Sequence, residues 1–207
     1  MPKNQSFDNY YEDYDNWFIK NENIYKNEIE IIKSFLPLNS FGLEIGVGTG
    51  KFSIPFNIKI GIDPSYYMAI KAKRQGINVI LAVSESLPFK NNIFDFVLIV
   101  TSICFFDDVQ KSLNEAYRVL KKNGNIIIGF VDANSNLGKR YSLNKESSKF
   151  YKNAEFYSVE ILTDYLRKAK FIKYEYKQAL FDDSSTTDIF KPGYGEGSFI
   201  AIKAKKT

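Results

Sequence analysis

The chain has 207 residues, 44% hydrophobic and 25% charged, which allows a sizeable buried core and excludes a disordered or fibrous protein. One cysteine, Cys104, excludes an internal disulfide and a multi-cysteine metal site, and with no histidine there is no Ser-His-Asp triad, histidine metal site or imidazole base. The net charge of +4 is mild, no apolar run nears the ~20 residues that span a bilayer, and the segment Met1 to Asn16 is too polar and acidic for a signal peptide, so a cytoplasmic protein is expected.

In chain order, Tyr25, Ile29, Ile32 and Leu36 share one helical face, and Pro37 follows as a stop. Phe41 to Ile45 reads as a buried strand that runs into Gly46, Gly48 and Gly50. Between Gly50 and Pro55 there is room for little more than one helical turn. A second apolar strand, Ile58 to Ile62, ends at Asp63. Pro64 suits a first helical position with Asp63 as its cap, and that helix should stop at Gly76. Ile77 to Val83 and Phe94 to Val100 are near-continuous apolar runs, as expected of parallel strands covered on both faces. Val109, Leu113, Ala116 and Leu120 form a helical stripe ended by Asn123-Gly124, and Asn125 to Val131 is the next strand. After a long connector rich in Lys and Tyr, 132–157, Ser158 caps a helix to about Ala169. Phe171 to Phe181 and Ser198 to Lys205 are the final strands, and Gly193 to Gly197 is a turn. Lysines 139–152 and 203–206 read as solvated surface rather than a nucleic-acid footprint.

Alternating strands and helices predict an α/β, doubly wound sheet. Its carboxyl edge gathers a glycine loop, which lets backbone approach a ligand, and an acid at the next strand end, suited to ribose hydroxyls. The dinucleotide spacing G-x-G-x-x-G is not met, because Lys51 stands in the third slot. That argues against a nicotinamide cofactor.

The runs Leu43-Glu44-Ile45-Gly46-Val47-Gly48-Thr49-Gly50, Gly61-Ile62-Asp63-Pro64-Ser65, Ser84-Glu85-Ser86-Leu87-Pro88-Phe89, Phe94-Asp95-Phe96-Val97 and Leu120-Lys121-Lys122-Asn123-Gly124 together resemble the class I S-adenosylmethionine (SAM) dependent methyltransferases. The nearest branch is the type 11 methyltransferase domain, mostly small-molecule enzymes. The resemblance implies a Rossmann-like sheet of seven strands, mostly parallel with the last antiparallel. It implies SAM as methyl donor and S-adenosylhomocysteine as product. Glu44 would lie near the ligand's ammonium, Gly46, Gly48 and Gly50 against its methionine and ribose parts, and Asp63 on the ribose. Pro64 and Met68 would line the adenine face, and the carbonyl of Thr101 would meet the ammonium. Val83 stands where the family often has an acid, so Ser84 and Glu85 would carry the adenine edge. A glycine usual near position 170 is Lys170 here. The Asn/Asp-Pro-Pro-aromatic run of DNA amino-methyltransferases is absent after the fourth strand, which counts against those substrates.

One methyltransferase domain over 1–207 is expected: a helical cap 1–37, a cofactor-binding half 38–131, and a cap segment with the C-terminal helix and strands 132–207. The caps would build the acceptor pocket through Tyr14, Trp17 and Tyr141. The expected acceptor is a small molecule, taking the methyl on N, O, S or C. An RNA or protein acceptor, or a non-catalytic SAM-binding regulator, is the alternative. No catalytic base or metal ligand stands out, Cys104 reads as a buried hydrophobe, and without histidine the pH–rate profile is expected to lack an imidazole-like ionisation near 6.5 unless the acceptor itself titrates there.

Overall fold

The structure, a computed structural model, describes residues 5–181 and 189–207; the first four residues of the expected N-terminal cap lie outside them. Its centre is an eight-stranded sheet with the order β3-β2-β1-β4-β5-β8-β6-β7. The strands are β1 (Gly42–Ile45), β2 (Ile60–Asp63), β3 (Asn78–Leu81), β4 (Phe94–Val100), β5 (Leu120–Val131), β6 (Ile172–Phe181), β7 (Phe190–Pro192) and β8 (Gly197–Lys205). The first five run parallel, and β8 is antiparallel to both β5 and β6. The fold class is as expected, but there are eight strands and not seven. The added one is β7, three residues antiparallel to the outer edge of β6. It is too short for a period-two pattern, and its last residue is a proline, tolerable only at an edge.

The helices are α1 (Gln5–Asn9), α2 (Tyr11–Lys20), α3 (Glu22–Lys33), α4 (Tyr66–Arg74), α5 (Val109–Val119), α6 (Asn136–Leu143) and α7 (Val159–Lys168). Strand alternation divides the core. Val97 and Ile99 of β4 point with Ile126 and Ile128 of β5 toward α5 and α7. Phe96, Leu98 and Val100 point with Ile127 and Phe199 toward α3, where Ile31 and Ile32 are fully buried. Each such side chain removed from water contributes about 1.5–3 kcal/mol.

Several local expectations change. The α4 helix begins two residues later than a Pro64 start would require, with Ser65 as its N-cap in place of Asp63; the Ser65 hydroxyl accepts from Met68 N at 3.3 Å. Asp63 is thereby released for the site. The α5 helix ends at Val119, short of Asn123-Gly124, because Leu120 already pairs with Phe94. The outermost β3 is buried only at Val79, so the near-continuous apolar run there is not covered on both faces. Lys170 takes φ +68 and closes α7 as a glycine would, with Phe171 N on Leu166 O at 3.0 Å. Lys206 is no solvated surface lysine. It is buried, and its ammonium donates to the carbonyls of Leu120 at 2.6 Å and Tyr117 at 2.7 Å and to Asn92 Oδ1 at 2.9 Å.

Candidate functional site

The carboxyl ends of β1, β2 and β4 open on one side of the sheet, where parallel α/β folds hold their ligands. The loop after β1 carries Gly46, Gly48 and Gly50 at φ +74, +54 and +92, values that only glycine takes without strain. A Cβ on Gly46 would sit 2.5 Å from Ser102 Cβ, because the loops after β1 and β4 touch there. A Cβ on Gly50 would sit 2.5 Å from Ile77 Cδ1. Gly50 thus packs the loop onto the segment before β3 and lines no part of the cavity described below. Thr101, at the end of β4, also has positive φ, +50. For a β-branched residue that conformation costs about 1–3 kcal/mol and is a mark of functional sites.

Asp63 stands at the tip of β2. Its Oδ2 accepts from Gly48 N and its Oδ1 from Ser65 N, both at 2.8 Å. Each carboxylate oxygen keeps a further lone pair for a ligand. Burial pushes this carboxyl up to about 6, against the two backbone hydrogen bonds that pull it down. Glu44 lies under the glycine loop, fully buried, with its Oε2 accepting from Ser53 Oγ. Burial pushes it up to about 8. It lines no part of the cavity, so it steadies the loop from below.

Above these residues is a cavity of about 230 Å³. It is lined by Gly46, Gly48, Asp63, Pro64, Met68, Ser84, Glu85 and Thr101, all expected from the sequence, together with Val83 and Phe106. Polar side chains here are partly committed: Glu85 Oε1 accepts from Asp107 N at 2.8 Å and Asp108 N at 3.1 Å, and Ser84 Oγ meets Ser112 Oγ at 2.8 Å. Backbone at Gly46 and Gly48, a carboxylate with spare lone pairs and the apolar side chains of Met68 and Val83 share this lining, a donor set compatible with SAM.

Tyr14, Trp17 and Tyr141, from the two segments expected to act as caps, line the same cavity. So do Phe7, Ile24, Glu28, Phe105, Leu137, Phe150 and Tyr151, which sequence reasoning did not single out as site residues. Phe7 packs edge-on to Phe105 at 4.8 Å, and Tyr141 stacks on Tyr151 at 5.0 Å. Asp15 fastens α2 to the glycine loop and α4: it accepts from Thr49 Oγ1 at 2.7 Å and Lys71 Nζ at 2.9 Å, and pairs with Lys51 at 3.3 Å. Burial would raise the Asp15 carboxyl, but Thr49 and Lys71 outweigh it and hold it below the usual range. Asp8 Oδ1 accepts from Ser65 Oγ at 2.6 Å and ties α1 to the start of α4. Glu28 did carry a signal in the sequence. It interrupts the apolar stripe Ile24, Ile31 and Phe35, and a carboxyl inside such a stripe must be paired, protonated or facing a ligand.

No helix among the described residues is long and apolar enough to cross a membrane, and no group of His, Cys, Asp and Glu among them could hold a metal ion.

Comparison with known proteins agrees with this geometry. The family model for a methyltransferase domain matches residues 43–128. An uncharacterised protein of Methanocaldococcus jannaschii is 50% identical over 97% of this chain and 98% of its own length. A SAM-dependent methyltransferase of Thermotoga maritima, described as a possible histamine N-methyltransferase, superposes with a TM-score of 0.93 at 45% identity, over 99% of this chain and all of that one. The ubiquinone/menaquinone biosynthesis C-methyltransferase UbiE of Rickettsia bellii is 33% identical over 47% of each chain. With the matched domain spanning β1 to β5 and a full-length relative of this kind, the chain belongs to the SAM-dependent methyltransferases.

Proposed function

We propose that the protein transfers the methyl group of SAM to a small-molecule acceptor enclosed between the sheet edge and the two caps. The observation that carries this reading is one cavity whose lining combines glycine backbone and Asp63 with aromatic rings. An enclosed cavity with Phe7 of α1 and Tyr14 and Trp17 of α2 in its wall suits a small acceptor better than a nucleic acid or a folded protein. The relative described as a possible histamine N-methyltransferase supports a small-molecule acceptor from outside the chain.

In this reading Asp63 holds the ribose, the loop at Gly46 and Gly48 and the Thr101 carbonyl hold the amino-acid end, and Met68 and Val83 flank the adenine. Bound SAM supplies a sulfonium-activated methyl, so the protein need not generate a leaving group. Its residues contribute orientation of the acceptor within about 3–3.5 Å of the methyl and exclusion of water by the aromatic caps. A methyl-acceptor screen with labelled SAM, over amines, alcohols, thiols and phenols and with tRNA and protein extract as macromolecular arms, tests this. Label in a small acceptor alone is expected; label only in RNA or protein would overturn it.

A further inference from the structure

We infer that Glu28 receives the positively charged nitrogen of the methyl acceptor, and that the acceptor is therefore a small monocationic amine with an apolar body. The inference rests on the methyltransferase reading of the cavity and names the acceptor class that reading leaves open.

Glu28 belongs to α3, whose Ile31 and Ile32 are locked into the core, so its side chain is presented by a rigid element. It is 4% exposed and lines the cavity. Among the described residues no side chain or backbone group donates a hydrogen bond to it. That separates it from the other acids of the site. Asp63 is held by Gly48 and Ser65, Glu85 by two backbone amides, and Glu44 by Ser53. A buried carboxyl without a donor is expensive unless a ligand supplies one. No Lys or Arg lines the cavity among the described residues, so no cationic side chain of the lining pairs with Glu28.

The neighbourhood selects what comes. Tyr14, Trp17, Tyr141 and Tyr151 wall the same chamber, and ring faces attract a cation that a carboxylate also holds. Ile24 and Leu180 complete an apolar surround for the rest of the molecule. An anionic acceptor would meet Glu28 unscreened, and a neutral alcohol would gain much less from it.

The proton balance is simple. Burial pushes the Glu28 carboxyl up to about 8, so in the empty site near neutral pH it is largely protonated, and it gives that proton to solvent as the ammonium enters. The titratable groups around it are tyrosines: Tyr14 on α2, Tyr25 on α3, Tyr141 on α6 and Tyr151, all themselves raised first by burial and further by the Glu28 charge. An ammonium entering beside ionised Glu28 passes one N–H proton to the carboxylate. The freed nitrogen lone pair forms the bond to the methyl carbon, and the electron pair of the broken methyl–sulfur bond stays on sulfur. The proton leaves Glu28 for solvent as the methylated ammonium departs.

The test is calorimetric binding to the protein loaded with S-adenosylhomocysteine. The probes are a panel of aliphatic and arylalkyl amines, each paired with the alcohol of the same skeleton, such as 2-phenylethylamine with 2-phenylethanol. At least one amine is expected to bind about tenfold or more tighter than its alcohol, which is about 1.4 kcal/mol. Glu28→Gln, isosteric with the neutral acid, should erase that preference and leave affinity for S-adenosylhomocysteine unchanged. Amines binding no better than their alcohols to the wild type would overturn the inference, a result that needs no variant. So would a Glu28→Gln protein that keeps the preference, or one that loses S-adenosylhomocysteine in parallel, which would make Glu28 a cofactor ligand. Failure of the wild type to bind S-adenosylhomocysteine at all would instead overturn the cavity reading beneath it.

Discussion

Asp63 does two jobs at one strand end. It ties Gly48 N and Ser65 N together, and it keeps lone pairs for a ribose. Asp63→Ala is expected to weaken SAM binding by about 1.5–3 kcal/mol, as for hydrogen bonds to a charged group, and to lower the melting temperature because two buried amides lose their acceptor. Lowered melting with unchanged affinity would leave only the structural role. Its carboxyl is raised to about 6, and the ionised form is the better partner for hydroxyls, so SAM affinity should rise as pH increases through about 6. Titrations between pH 5 and 8 that show flat affinity would contradict this. Burial thus brings an aspartate close to the range a histidine would occupy in a chain that has no histidine. Gly48→Val should abolish SAM binding, since φ of +54 strains a β-branched residue and its Cβ would meet Tyr14 Oη at 3.3 Å; normal binding by a folded valine variant would place the ligand elsewhere. Residues of the glycine loop and Asp63 were legible because their chemistry lies within one short run. Glu28 was harder to find because its meaning depends on a cavity whose walls include Leu137, Tyr141 and Tyr151, more than a hundred positions away.

The two caps are the elements that convert an open sheet edge into a chamber. α2 is held to the glycine loop by Asp15 through Thr49, Lys51 and Lys71, and α1 to α4 by Asp8. Exposed ion pairs contribute little, but the half-buried Thr49 hydrogen bond is worth about 1 kcal/mol. Asp15→Ala should speed SAM release about fivefold in stopped-flow chase experiments and raise amide exchange across 5–20. Unchanged release would mean that α2 stays seated by its aromatic contacts alone. The parallel strands and their helices were readable from periodicity, since apolar runs and caps are local signals. The Ser158 cap of α7 and the Asp108 cap of α5 stand as the residue types imply. The short β7 was not readable, because three residues at a sheet edge carry no period. Nor was the buried role of Lys206, whose partners are backbone carbonyls that composition cannot show.

Over the whole molecule, the site concentrates acids that the fold pushes up. Glu28 and Glu44 are raised to about 8 and Asp63 to about 6, each by burial. A carboxyl raised in the folded state binds its proton more tightly there than in the unfolded chain. Its stabilising contribution is therefore full at low pH and is lost as pH rises from the unfolded value toward the folded one, by up to about 1.4 kcal/mol per pH unit for each group. Asp15, Asp95 and Glu115 are lowered and act oppositely, losing stability only in acid. Melting temperature should thus fall from pH 5.5 to 8.5, and Glu28→Gln should flatten that slope. A wild type more stable at pH 8.5 than at 5.5 would contradict it. In the proposed reading the cavity holds the cofactor at Asp63 with its sulfur toward the acceptor, and a crystal structure with S-adenosylhomocysteine tests that most directly. The account predicts the ribose hydroxyls on Asp63, the homocysteine against Gly46 and Gly48, and the sulfur facing the chamber that holds Glu28. Ligand density away from Asp63, or a sulfur turned from that chamber, would contradict it.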